Sequence, residues 1–141
     1  VIVLDTNVLS ETLRAAPDPS VLTWIAQQSR PALFTTTVTR AELFHGVLLL
    51  PDGKRRVALL AAVRAVLDTA FAGQVLSFDS DAADAYAEIA AVRRAAGRPI
   101  SQSDAMIAAI ARSRGAGLAT RNIRDFTDCG IALVDPWNAG S

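Results

Sequence analysis

VIVLDTNVLSE, residues Val1–Glu11, is the stretch whose reading decides the fold. Val1 to Leu4 is an unbroken apolar run rich in β-branched side chains. That is the composition of a strand covered on both faces, as in a parallel sheet. Asp5 ends the run, and Asp5-Thr6-Asn7 offers side-chain oxygens to the free N–H groups of a helix start. A helix is therefore expected over about Val8–Leu13. A buried strand running straight into a helix is the first half of a βαβ unit.

The same alternation continues outward. Strands are expected at Ala32–Thr36, Val75–Phe78, Leu118–Thr120 and Ile131–Val134. Helices are expected at Val21–Gln28, Val38–Leu50, Arg55–Phe71, Ser80–Ala96 and Ser103–Arg114. Pro51-Asp52-Gly53 and Gly97-Arg98-Pro99 break helices, because glycine accepts a left-handed cap and proline cannot continue the ladder. Alternating strands and helices imply an α/β fold: a three-layer α/β/α sandwich around a parallel sheet. No repeat, linker or low-complexity segment divides the chain, so one domain over 1–141 is expected.

Composition narrows the function. The chain is 51% hydrophobic and 20% charged, which is an ordered globular composition. One cysteine, Cys129, excludes an internal disulfide and points to a reducing, cytoplasmic setting. No basic-then-apolar leader pattern precedes Val1, and no apolar run approaches the roughly 20 residues that span a bilayer. Fourteen cations balance fourteen acids, so net charge gives no nucleic-acid footprint. Thirteen of those cations are arginine, the better phosphate fork.

The acids carry the chemistry. In open parallel sheets, ligands bind outside the carboxyl ends of the strands. Asp5 follows the first strand, Glu42 lies early in the helix after the second, and Asp125 lies in the loop after the fourth. Asp104 opens the apolar helix AMIAAIA, and strand order alone leaves open whether that helix starts at the same edge. Each acid also has a plain reading: a cap for Asp5, a solvated face for Glu42, a first-turn acid favoured by the dipole for Asp104, a loop acid for Asp125. Glu42 falls between Val38 and Leu49 on a helical wheel, which is odd for a solvated face. A set of carboxylates ionised together in one cleft needs a cation. Oxygen ligands suit Mg²⁺ or Mn²⁺. A single histidine and a single cysteine cannot build a zinc site. The chemistry supported is phosphodiester hydrolysis, in which a metal lowers the pKa of water and steadies charge on the attacking and leaving oxygens.

Four stretches together, VIVLDTNVLSE, TRAELFHG around Glu42, SDAMIAAIA at Asp104 and LATRNIRDF near the end, resemble PIN domains, most closely the VapC-type toxins of bacterial toxin–antitoxin pairs. The motifs occur in family order and span nearly the whole chain. The resemblance implies a five-stranded parallel sheet and a Mg²⁺- or Mn²⁺-dependent endoribonuclease acting on single-stranded or looped RNA. It implies that the Asp104 helix starts at the acidic edge. Asp5 and Asp104 would be the main metal ligands, with Glu42 completing the set directly or through water. Thr6 and Asn7 would support Asp5, and Thr120 would hydrogen-bond nearby. Some family members carry an acid where Asn122 stands; here the nearest acid is Asp125, three residues on, which implies one tightly held ion and a second arriving with RNA. A cognate antitoxin and a homodimer, or a heterotetramer or octamer with antitoxin, are implied as well.

Other residues are read more plainly. His45, the only histidine, is expected to be a satisfied structural residue. Arg98, Arg121 and Arg124 are candidate phosphate contacts, and Trp24 and Trp137 are expected to pack rather than stack bases. The hairpin Val38–Phe71 carries more apolar side chains than one face needs, which suggests a dimer surface or a groove for a partner's helix. Three rivals stand beside the ribonuclease toxin. An aspartyl-phosphate phosphatase would need an acid where Asn7 stands. A PIN-like binding module would be expected to lose an acid, and a housekeeping RNA-processing nuclease shares the chemistry. No Gly-rich phosphate loop is present.

Overall fold

A computed structural model describes residues 1–139 of the chain; the expectation of one domain over 1–141 extends to residues 140 and 141, which lie outside the described residues. Five strands, β1 (Ile2–Leu4), β2 (Leu33–Thr36), β3 (Val75–Leu76), β4 (Gly117–Ala119) and β5 (Leu133–Val134), form one sheet in the order β3-β2-β1-β4-β5. Every pairing is parallel. Around the sheet lie α1 (Thr6–Thr12), α2 (Pro19–Gln27), α3 (Thr37–Leu48), α4 (Lys54–Arg64), α5 (Ser80–Ala95) and α6 (Gln102–Ser113). The three-layer sandwich expected from the alternation is the observed architecture.

Both faces of the sheet are buried, which explains the continuous apolar runs. Successive side chains on a strand point to opposite faces. Leu4 and Ala119 join one core with Val8, Trp24, Leu43 and Val63, beneath α1 to α4. Val3 and Leu118 join the other with Ile89, Ile107 and Ala108, beneath α5 and α6. Trp24, only 6% exposed, packs as expected.

The strands are shorter than the apolar runs that announce them, because the residues after each strand already belong to the next helix or turn. The second half of the α3–α4 hairpin also differs from expectation. Instead of one α-helix to Phe71, the chain passes into a π-helical stretch, Ala65–Ala70, with the Phe71 N–H donating to the Val66 carbonyl at 2.8 Å. Val63, Leu67 and Phe71 are all buried. A spacing of four drifts by about 40° per step on an α-helix. The wider turn removes that drift and keeps all three on the core. Gly97, with φ +72°, supplies the left-handed residue that ends α5.

Strand order locates the functional edge. From β1 the chain steps outward through β2 and β3, then returns to the other side of β1 as β4. The carboxyl ends of β1 and β4 therefore flank the topological switch point, where such sheets open a crevice. Leu4 pairs in register with Ala119, so Asp5 and Thr120 leave the sheet side by side.

The central pairing is the test of this architecture. Leu118, fully buried in β4, should lose roughly 2–5 kcal/mol of stability on substitution by alanine. Urea unfolding of Leu118→Ala would measure the loss; an unchanged midpoint would mean that β4 is not packed centrally.

Candidate active site

Asp5 is the pivot of the crevice. It is only 4% exposed, and both carboxylate oxygens are held. Oδ1 accepts the Thr6 N–H at 2.8 Å, which is the helix cap read from the sequence. Oδ2 accepts the Thr120 hydroxyl at 2.7 Å, a contact across 115 residues of chain. Capping and site roles are thus compatible: the cap fixes one oxygen and β4 presents the donor for the other.

A network of hydrogen bonds continues outward from Asp5. The Thr6 hydroxyl donates to Glu42 Oε1 at 2.7 Å and lies 3.0 Å from the Thr39 hydroxyl. Asn7 Nδ2 reaches Thr120 Oγ1 at 3.4 Å, and its Oδ1 accepts the Arg121 N–H at 3.3 Å. The Asn122 N–H donates to Thr120 Oγ1 at 3.1 Å. Asp104 sits in the first turn of α6, whose cap Ser101 accepts the Asp104 N–H at 3.3 Å.

Asp5 feels the charges of Asp104 and Glu42, and Asp104 those of Asp125 and Glu42. Burial pushes the Asp5 carboxyl up from the ordinary 3.8 to about 6; hydrogen bonds from Thr120 and Thr6 oppose the rise, and the charges of Asp104 and Glu42 add to it. Burial is also the main reason the Asp104 carboxyl is raised. Ser101 hydrogen bonding opposes that rise, Asp125 and Glu42 add to it, and the Arg93 cation pulls it back. Asp104, whose edge strand order left open, is thus in the field of the other acids. Among the described residues, no three His, Cys, Asp or Glu side chains stand close enough together to form a ready-made metal cage.

Several expectations need correction. Glu42 is exposed rather than set in an apolar stripe, because the inward face of α3 is Thr39, Leu43 and Val47, while Leu49 is 71% exposed. Thr6 holds Glu42 at the crevice instead. His45 is exposed on α3 rather than enclosed. Arg98 makes an ion pair with Asp128 and reaches the Thr127 hydroxyl at 3.3 Å, while no ion pair engages Arg121 or Arg124 among the described residues. Asn122 precedes the 3₁₀ turn Ile123–Phe126, and Asp125 within that turn is one of the charges felt by Asp104.

Two residues escaped the sequence reading. Arg93 is 5% exposed, and its guanidinium donates to the carbonyls of Arg98 (2.7 Å), Asp125 (2.8 Å) and Thr127 (3.0 Å). It clamps the loop that carries Asp125. Its signal was its place four residues after Ile89 on the buried stripe Ala82, Ala85, Ile89, Arg93. Glu11, 5% exposed, accepts the Asp18 N–H at 2.9 Å and pins the turn between α1 and α2. It lies three residues after buried Val8, on the inward face.

This fold is matched by a family profile described as PIN domain over residues 2–130, and the chain belongs to the PIN-domain family. Within it, the chain is closely related to the VapC- and FitB-type toxins of type II toxin–antitoxin systems. It is 44% identical to the plasmid stability protein StbB of Pseudomonas syringae pv. tomato, over 98% of this chain and 99% of the relative. It is 40% identical to the VapC ribonuclease Y4jK of Sinorhizobium fredii, over 96% of this chain and 97% of the relative. The structure of FitAB bound to an IR36 DNA fragment superposes with a TM-score of 0.93 at 33% identity, covering 100% of this chain and 99% of that one.

Asp5 burial makes a pH prediction for protein free of divalent ions. Its folded pKa lies above its unfolded one, so the folded state keeps a proton that the unfolded state releases. Stability contributed by this group is therefore lost as pH rises from 3.8 towards about 6, and stays lost above. Asp5→Asn, which cannot ionise, should be more stable than the parent at pH 7 by on the order of 3 kcal/mol. The gap should close as pH falls to 4. A gap independent of pH, in denaturation series at several pH values, would show that Asp5 ionises as freely as in the unfolded chain.

Proposed function

We propose that this chain is the toxin of a toxin–antitoxin pair: an endoribonuclease that hydrolyses RNA phosphodiester bonds with Mg²⁺ or Mn²⁺ as cofactor, built as one PIN-like domain. The carrying observation is Asp5, buried at the carboxyl edge of the sheet with both oxygens held by Thr120 and Thr6, Glu42 joined to it through the Thr6 hydroxyl, and the charges of Asp104 and Glu42 bearing on it. Keeping such a set ionised near neutral pH calls for positive charge. The donors are carboxylate and hydroxyl oxygens, which fit a hard divalent cation. Asp5 and Asp104 would hold it, with Glu42 directly or through water, and Asp125 adding charge beside Asp104. The ion, when bound, supplies a lowered pKa for a water molecule and positive charge for the phosphodiester oxygens. The chain's own part is orientation. Thr120 and the Thr6 N–H fix the two Asp5 oxygens, the Thr6 hydroxyl fixes Glu42, and Arg93 fixes the loop bearing Asp125. The relative described as a VapC ribonuclease supports the activity.

The partner surface is a groove of about 850 Å³ between α1, α3 and α4, lined by Leu13, Leu43, Val47, Leu59 and Val63 among others. Thr6 and Glu42 form part of its wall, so a segment seated there would also reach the Thr6–Glu42 side of the crevice. Its occupant in this reading is the cognate antitoxin, on a homodimer or in a heterotetramer or octamer. Among the described residues no helix is long and apolar enough to cross a membrane. A housekeeping nuclease with the same chemistry would need no such partner.

Purified protein should cut single-stranded RNA with Mg²⁺ or Mn²⁺ and stop in EDTA, and Asp5→Asn should lose at least a hundredfold in rate, the scale of removing a group central to the chemistry. Cutting that persists in both arms would refute the metal-dependent site. In the groove, Ala58→Glu should weaken binding of a cognate antitoxin while RNA cutting survives. Co-purification that is indifferent to the change would place the partner elsewhere.

A further inference from the structure

Arg121 stands one residue beyond Thr120, whose hydroxyl is bonded to Asp5, yet its guanidinium pairs with no carboxylate among the described residues. Seven other arginines are ion-paired: Arg14, Arg40, Arg56, Arg64, Arg98, Arg112 and Arg114. Its backbone is tied to the Asp5 segment through Asn7, where the negative charge of Asp5 attracts a cation. Arg121 instead lies with its guanidinium carbon 4.9 Å from the centroid of the Trp137 ring.

Both ends of this stack are anchored. The Arg121 N–H donates to Asn7 Oδ1 at 3.3 Å. Trp137 is partly buried against the core that contains Leu4 and Ala119, and its N–H donates to Asp135 Oδ1 at 2.9 Å. The two segments meet because β4 and β5 pair in register, Ala119 with Val134, and leave the sheet at the same edge.

We infer that Arg121, stacked on Trp137, is a preset fork for a substrate phosphate next to the carboxylates, with Trp137 as its positioning residue. The inference rests on the ribonuclease reading above. Stacking occupies only the face of the guanidinium, and its five N–H donors lie in the plane, free at the edge for phosphate oxygens. The stack also holds the guanidinium out of any ion pair with the acids among the described residues. The contact is to the backbone, so it supplies affinity and register on any RNA sequence. Arg124, also exposed, has no aromatic platform and is not preset in this way.

The test is binding of a fluorescent single-stranded RNA oligonucleotide at a series of salt concentrations, in Mg²⁺ and an Asp5→Asn background that does not cut. Arg121→Ala should weaken binding about tenfold, the value of one charge-assisted contact. It should also lower the slope of log affinity against log salt by about 0.7, the value of one lost single-strand phosphate contact. Trp137→Leu keeps apolar packing but removes the ring, and should weaken binding about threefold, the scale of an exposed cation–π contact; Trp137→Phe should restore most of it. With Asp5 intact, Arg121→Ala should raise KM and leave kcat within about twofold, as loss of uniform binding requires. Parental affinity and slope in Arg121→Ala would overturn the inference while the ribonuclease reading stands. Absence of RNA binding and cutting by the parent chain would overturn both. Arg121 is a surface residue, so its variant reads binding even where a Trp137 variant misfolds.

Discussion

A carboxylate is sealed beneath the surface where two parallel strands end side by side, and the site depends on how that carboxylate is held. Asp5 is buried, yet it is surrounded by donors and other acids rather than by a countercharge. The Thr120 hydroxyl and the Thr6 N–H satisfy its two oxygens and hold down a pKa that burial and neighbouring charge push up. Those contacts exist only because β1 and β4 pair in register and α1 begins at once after β1. The sheet is therefore the device that brings a residue near the amino end of the chain against one 115 positions later.

The rest of the crevice extends this arrangement by short hydrogen bonds. Thr6 reaches from α1 to Glu42 on α3, and Asn7 reaches from α1 to the Thr120–Arg121 turn. Arg93 works at longer range. A buried guanidinium is costly, and its acceptors here are backbone carbonyls rather than an acid. Its return is a fixed path for the loop bearing Asp125 and a positive charge felt by Asp104. The acids are thus supported by α1, α3, α5, α6 and the β4–β5 connection at once, as expected when like charges must be kept near one another.

Around the crevice, the surface divides by what is already paired. Seven of the thirteen arginines are engaged in ion pairs among the described residues, and such surface pairs are worth little individually. Arg121 is kept free by its stack on Trp137, beside the acids. The apolar groove of α1, α3 and α4 has Thr6 and Glu42 in its wall. The site thus adjoins both charge and apolar area, chemistries suited to two different kinds of partner.

The residues alone determined the alternation of strands and helices, the parallel sheet, and the identity of Asp5, Glu42, Asp104 and Asp125 as the acids worth following, because strand burial and helix caps are written in local composition. VIVL ahead of Asp-Thr-Asn, and the apolar helix behind Asp104, are such local signals. Glu42 exposed with Thr6 holding it, Arg98 tied to Asp128, Arg93 clamping a loop from within, and Arg121 lying on Trp137 were decided only in three dimensions. Each depends on which side chain arrives from a distant element, and no local pattern specifies that. The π-helical turn at Ala65–Ala70 shows the same division. Propensity favours an α-helix there, and the need to keep Val63, Leu67 and Phe71 on one buried face prevails.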